Sequence, residues 1–534
     1  MQKKTLNRIY LAAFFMLLCI SGLIWRLYLL HENEGAVQAG VRQGKFRLHV
    51  PLQSGTLYDR KGKALTNSED VYYAVVCPSP ESSVSLFGKV KDPEAFERAL
   101  HKGIPFLCEL TEPVADSESL IVLNGKRSRS GILPAQHILG YCREGEGVSG
   151  IEAAYHDTLR SYDLSADITL SVSGNGTALS GAEQSIVING HAGGGIVTTL
   201  DYQIQRISDT ALQNASARIG AAVVMDIQTG EILACASSPV YHPEHLEKSL
   251  DNPDAPFLNR ALCAYSVGSV FKLVTAAAAL ENGLSEDYAY LCEGAYTVFG
   301  QRFRCHKLTG HGLLDMKQAM IESCNPYFIS LGQLISTDQM HSMADSLGFG
   351  RETVLAPNMI ASGGYLPDCN DLNIPAEKAN LSFGQGKLTA TPLQITAMTA
   401  CIANDGFYHP PRLILGETAD EISAECCEEE SPYRVLRHET AAALQSMMIA
   451  VLRDSKDSKA VPCNIYAAGK TSTAQTGILD ADGKEYCHAW MTGFFPAYHP
   501  QYAVTVLIEN GGSGNDAAAP VFRRIIEEMR RAGY

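Results

Sequence analysis

An uncharged run from Ile9 to Trp25 sets the first constraint on this chain. Lys3, Lys4 and Arg8 precede it, and Arg26 and the apolar Leu27 to Leu30 follow. A helix over residues 9–30 is long enough to cross a bilayer, with Trp25 and Tyr28 suited to the interface. Such a segment favours an uncleaved anchor, with the rest of the chain folded on one side of a membrane. The basic flank predicts a cytoplasmic tail (residues 1–8), a single-pass anchor (9–30) and an extracytoplasmic remainder. A cleaved leader is the alternative, but no small-x-small cleavage site follows the apolar run.

The remaining length allows several domains with ample core. The net charge of −15 argues against a nucleic-acid binder, which needs a basic face. No glycine-rich phosphate loop ending in Lys-Ser/Thr is present. Fifteen cysteines leave at least one unpaired. Cys292 and Cys305 flank a hairpin-like stretch and could pair, and Cys426-Cys427 is a vicinal pair on an acidic segment. With no C-x-x-C pairs, a zinc ribbon is not expected, and most thiols read as small buried apolar residues.

Residues 31–195 read as a non-catalytic, strand-rich module behind a polar stalk (Glu32 to Gly44). Phe46 to Val50, Thr56 to Tyr58 and Val71 to Val76 are strand runs, and Asp59-Arg60-Lys61-Gly62 is a turn. The segment from Pro93 to Leu123 reads as partly helical. From residue 196 to 534 the pattern changes. Asp201 caps a helix expected from Tyr202 to about Arg218. Ala221 to Asp226 and Glu231 to Ser237 form a hairpin, helices dominate to about residue 405, and Thr391-Pro392-Leu393-Gln394 is a helix start. Residues 417–430 read as a solvated acidic loop. Ile465 to Thr476, Trp490 to Phe495 and Tyr502 to Ile508 are strands, before a closing amphipathic helix from Pro520. The economical arrangement is an α/β (α+β) domain: one antiparallel five-stranded sheet flanked by helices, with an inserted helical subdomain.

Three stretches carry chemistry. In Ser269-Val270-Phe271-Lys272 the serine and lysine fall on one face of a helical turn, between Gly268 and Gly283. A serine hydroxyl is a weak nucleophile until a base takes its proton, and a lysine does so once burial lowers its pKa. Ser323-Cys324-Asn325 lies in a loop between helices; its hydroxyl suits a proton relay and its amide suits holding a substrate backbone. Lys470-Thr471-Ser472-Thr473 lies on a strand and offers a cation and hydroxyls to a carboxylate. The backbone N–H groups of Ser269 and Thr473 would make an oxyanion hole. Taken singly, each stretch also reads as a cap, a turn or an exposed strand; their order and setting favour the joint reading.

In this the sequence resembles the penicillin-binding proteins, whose S-x-x-K, S-x-N and K-T-G elements match the three stretches. Ser382-Phe383-Gly384-Gln385-Gly386, Thr391 to Gln394 and Lys470 to Gly477 extend the likeness, and Gly55 to Gly62 with His137 to Gly140 resemble the pedestal of the class B, monofunctional type. Ser472 stands where the family usually has glycine. The resemblance implies a serine D,D-transpeptidase that cross-links peptidoglycan stem peptides ending in D-Ala-D-Ala. Its catalytic residues would be Ser269, Lys272, Ser323, Asn325 and Lys470, with Thr471, Ser472 and Thr473 binding substrate, and β-lactams would trap the acyl-enzyme. It further implies no metal or organic cofactor, a dimerisation-like pedestal, and a membrane glycan polymerase and other elongation or division proteins as partners. A D,D-carboxypeptidase, or a β-lactam-binding scaffold with little turnover, is the alternative.

Overall fold

The computed structural model describes every residue except 1, 33–43, 144, 180, 183, 420–423, 427–429, 456 and 480–481. The expected stalk and Cys427 fall mostly or wholly outside the described residues. The chain forms two compact units, 1–54 with 67–127 and 163–192, and 55–66 with 128–162 and 193–534. The longest segment of the second unit begins at Gly193, and two earlier segments belong with it.

The first unit contains a helix over Gln2–Glu32, within which Asn7–Leu29 is long and apolar enough to cross a membrane. It also holds two three-stranded antiparallel sheets. One runs Lys45–Gln53, Leu164–Ser171, Ser185–Asn189. The other places Glu69–Val76 between Phe106–Leu110 and Leu120–Arg127. Alternation along Glu69–Val76 sends Val75 into a cluster with Val50 and Ile168, and Ala74 and Val76 into another with Leu86 and Phe96. The helix expected within 93–123 is confined to Pro93–Lys102, capped by Asp92 and ended by Gly103. The β-branched Ile121 and Val122 lie instead on the third strand, where that residue class packs well.

In the second unit, β1 (Gly220–Asp226), β2 (Ile232–Ser238), β3 (Ala468–Leu479), β4 (Glu485–Phe495) and β5 (Tyr502–Ile508) form one antiparallel sheet in the order β2-β1-β5-β4-β3. This is the expected sheet. Its inner strands read as continuous apolar runs because helices cover both faces. On one side lie α1 (Tyr202–Gln213) and the amphipathic α6 (Ala519–Arg531); on the other lie α2 (Lys272–Glu281), α4 (Pro392–Ala403) and α5 (His438–Asp454), with α3 (Asn325–Gln333) packed on α2. Asp201 caps α1 as expected, but the helix stops at Gln213, where Asn214 turns its amide back onto the Thr210 carbonyl. Helix α4 is buried on every side and starts with the Thr391/Gln394 capping box. Its Thr399 hydroxyl meets Thr492 of β4, which meets Thr505 of β5, each at 2.7 Å, so this polar column satisfies itself.

A smaller sheet joins Thr56–Tyr58, Gly195–Thr198, Ile414–Thr418 and Ala424–Cys426, the first pair parallel. Residues 417–418 and 424–426 therefore pair as strand edges, where the sequence suggested loop. Acidic composition tracks solvent exposure, not ladder pairing. The Asp59–Gly62 turn forms as expected, with Asp59 accepting from the amides of Lys61 and Lys63.

Candidate active site

The segment bearing Ser269 is a 3-10 turn, Gly268–Phe271, and α2 begins only at Lys272. The two residues still lie one turn apart. Gly268 has φ +65°, and a Cβ there would stand 2.3 Å from Ser472 Oγ. Its amide donates to the Gly384 carbonyl at 2.8 Å, and a Cβ on Gly384 would press within 1.9 Å of the Gly268 carbonyl. Glycine is needed on both sides of this contact, which explains the Ser382–Gly386 stretch: it clamps the turn that carries the nucleophile. Trp490 Nε1 adds a 2.8 Å bond to the Ser266 carbonyl. Ser269 itself is half-exposed.

Lys272 is fully buried. Its Nζ donates to the Ser323 carbonyl at 2.7 Å and to Asn325 Oδ1 at 2.7 Å, and lies 3.1 Å from Ser323 Oγ. Lys470, also buried, reaches the same Ser323 Oγ at 3.0 Å and the Thr471 carbonyl at 3.2 Å. The Ser323 hydroxyl thus sits between two amines. Burial first, and the Lys470 charge second, hold the Lys272 pKa well below that of an ordinary lysine; the Cys324 and Cys305 sulfurs act in the opposite sense. Burial brings Lys470 down to about 8. A neutral Lys272 has two N–H donors and one lone pair. The two 2.7 Å acceptors engage the donors, which leaves the lone pair for a hydroxyl proton.

The turn that presents Ser323 is strained: Ser323 has φ +50°, unusual for a residue with a side chain. The helix Met316–Ile321, held by an Asp315/Gln318 capping box, leads into it, and Pro326 in the first turn of α3 leads out. On β3 the alternation separates the remaining residues. Thr471 and Thr473 lie on the open face, and Thr473 Oγ1 also accepts from the Gly514 amide at 3.1 Å. Ser472 is buried and donates to the Val267 carbonyl at 2.9 Å. The Ser472 hydroxyl, expected at the substrate, is turned inward here and ties β3 to the nucleophile segment.

The structure therefore gathers Lys272, Ser323, Asn325 and Lys470, and sets β3 alongside the Ser269 turn. It also gathers three cysteines with His311, a residue that sequence reading passed over. Cys292, Cys305 and Cys324 are buried free thiols that converge with His311, their ligand atoms all within 4.8 Å of one another. The three thiols are buried in the main core, as expected of small apolar residues, and the suggested Cys292–Cys305 pair is not formed. The signal was present in the spacing Cys292, Cys305, His311, Cys324, but it matches no short metal motif.

A serine one turn from a buried lysine, with a second buried lysine across a shared hydroxyl, places the cleft among serine acyl-transfer sites that use lysine in place of histidine as base. Residues 220–527 match the penicillin binding protein transpeptidase domain model. The chain is 31% identical over 373 residues to peptidoglycan D,D-transpeptidase PbpA of Mycolicibacterium smegmatis, covering 64% of this chain and 73% of that one. Among solved structures, the ceftriaxone acyl-enzyme of Mycobacterium tuberculosis penicillin-binding protein A superposes with a TM-score of 0.64 at 22% identity, covering 89% of this chain and 98% of that one. A structure describing how a peptidoglycan synthase complex coordinates polymerization and crosslinking gives 0.69 at 23%, covering 98% of each. The chain belongs to the penicillin-binding protein transpeptidase family, as a class B member.

Proposed function

We propose that this chain is a membrane-anchored serine D,D-transpeptidase, inhibited by β-lactams, with Ser269 as nucleophile. The observation that carries the reading is the Ser323 hydroxyl held at 3.1 and 3.0 Å between two buried lysines, next to the turn that bears Ser269. Lys272, neutral, takes the Ser269 proton as Ser269 Oγ attacks the carbonyl of the penultimate D-Ala. The oxyanion is held by the backbone N–H groups of Ser269 and Thr473, each worth roughly 3 kcal/mol in the transition state. The C–N bond breaks, and the proton passes through Ser323 to the departing D-Ala nitrogen. An amine on a neighbouring stem then displaces Ser269 and forms the cross-link. Asn325 holds the substrate backbone, and Lys470, Thr471 and Thr473 hold its carboxylate.

The named activity of PbpA and the acyl-enzyme neighbour support this reading. The fold shared with the synthase complex supports a glycan polymerase as partner. Lys3, Lys4 and Arg8 support an inside N-terminus with the second unit outside. Fluorescent penicillin is expected to label the full chain and not Ser269→Ala; equal labelling of both would remove Ser269 as nucleophile. Mass spectrometry of products from a pentapeptide plus an amine acceptor then separates cross-linking from trimming by water.

A further inference from the structure

The two backbone amides assigned to the oxyanion come from different elements. Ser269 lies on the turn Gly268–Phe271, and Thr473 lies on β3. β3 is the outer strand of its sheet: β4 flanks it on one side and, among the described residues, no ladder partner flanks it on the other. Strand pairing therefore leaves the gap between the turn and β3 unset. One side chain spans that gap. Ser472, 3% exposed, donates its hydroxyl to the Val267 carbonyl at 2.9 Å. Among the described residues this is the only hydrogen bond that joins β3 to residues 266–271. Its donor directly precedes Thr473, and its acceptor stands two residues before Ser269.

The turn has other fastenings, but they lead elsewhere. Trp490, opposite Ser472 in the β3–β4 ladder, holds the Ser266 carbonyl at 2.8 Å from β4. The Gly268 amide is held by the Gly384 carbonyl at 2.8 Å. Only the tie to β3 depends on Ser472, and glycine, usual at this position in the family, has no hydroxyl to make it. We propose that Ser472 is a positioning residue for acyl transfer: by pinning β3 to the Ser269 turn it sets the width of the oxyanion hole, and so favours an oxygen anion over a larger one. This rests on the acyl-transfer reading above. The hydroxyl is turned away from the open face that carries Thr471 and Thr473, so it acts on the reacting carbonyl through the backbone alone. Negative charge develops on that carbonyl as Ser269 Oγ adds to it. Two donors spread apart lose most where the charge is greatest, in the transition state, and little in initial binding.

The test is stopped-flow acylation of the full chain in detergent by a cephalosporin and by its 8-thioxo analogue, in which sulfur replaces the β-lactam carbonyl oxygen. With either, Ser269 Oγ bonds to the ring carbon, the C–N bond opens, and the nitrogen takes the proton. Saturation curves separate initial non-covalent affinity from the acylation rate constant. Ser472→Ala and Ser472→Gly should both slow acylation by the oxygen compound about fivefold to tenfold, with affinity unchanged. The larger sulfur anion should lose less, so the oxo-to-thioxo rate ratio should shrink severalfold. Thr399→Val removes a buried hydroxyl bond elsewhere in the second unit; it should lose stability and keep the wild-type ratio. Weaker affinity in the Ser472 variants with an unchanged rate constant would mean that the hydroxyl meets the ligand, and overturns the proposal. A rate loss with an unchanged ratio, the mark of a fold merely weakened, overturns it as well. Acylation of the wild type with neither Ser472 variant changed removes the role of Ser472 alone, whereas a wild type that is never acylated refutes the acyl-transfer reading and this role with it.

Discussion

Replacing Lys470 by Met tests the electrostatics of the centre most directly. The Lys272 and Lys470 nitrogens each lie about 3 Å from one oxygen, so they are no more than about 6 Å apart. Two unit charges at that distance repel by about 3 kcal/mol at an effective dielectric constant of 20. That is roughly a hundredfold in the protonation equilibrium of Lys272. Below pH 8 Lys470 is charged and favours the neutral base; Lys470→Met removes this, so Lys272 holds its proton to higher pH. The acid limb of the acylation rate should move up by roughly one to two pH units. In the wild type a second limb should fall near pH 8, where Lys470 loses the charge that holds a substrate carboxylate. The variant should lack that limb. The assay is stopped-flow labelling by fluorescent penicillin across pH. The height of the profile will also drop, because a cation has gone, so the limb positions carry the test. An acid limb unmoved in the variant would refute the claim that the second lysine tunes the first.

Gly268→Ala should destabilise the second unit by about 1–3 kcal/mol in urea unfolding, through positive φ and contact with Ser472 Oγ; adding Ser472→Gly should recover only the contact part. Thr399→Val breaks the buried hydroxyl column with Thr492 and Thr505 and should cost about 1–3 kcal/mol by the same assay. Asp209 is half-buried, and desolvation raises its carboxyl to about 7. The native state then binds a proton that the unfolded chain has released above about pH 4, so stability declines from there to about pH 7. Relative to Asp209→Asn, wild-type stability should fall by up to about 4 kcal/mol across that window, measured by urea titrations at each pH; a constant difference would show that Asp209 ionises normally in the fold.

Much of this was legible from residue order. The five strands of the main sheet are long apolar or β-branched runs, and the Thr391 cap is local chemistry that tertiary structure had no reason to override. Lys272, Ser323, Asn325 and Lys470 were readable as one site because the three stretches carrying them form a recognisable set. What escaped depended on partners distant in the chain. Leu120–Arg127 is a strand because Glu69–Val76 lies beside it. Thr418 pairs with Ala424 in an acidic segment that composition assigned to solvent. The inward turn of Ser472 depends on its bond to the Val267 carbonyl, and the thiol–imidazole cluster on a hairpin folding back on a catalytic turn; both rest on contacts between residues distant in the chain.

The path of the chain between its two units has a consequence for how this protein can be divided. Residues 55–66 and 128–162 build the same unit as the catalytic sheet, although they precede it in translation order. Thr56–Tyr58 is a parallel neighbour of Gly195–Thr198 in that unit's smaller sheet. A fragment begun at residue 196 would therefore leave that sheet with a bare edge and surrender the Asp59 turn that supports the start of α1. Shuffling of gene segments at that point would yield broken halves, so any recombination that preserves this enzyme must carry both units together.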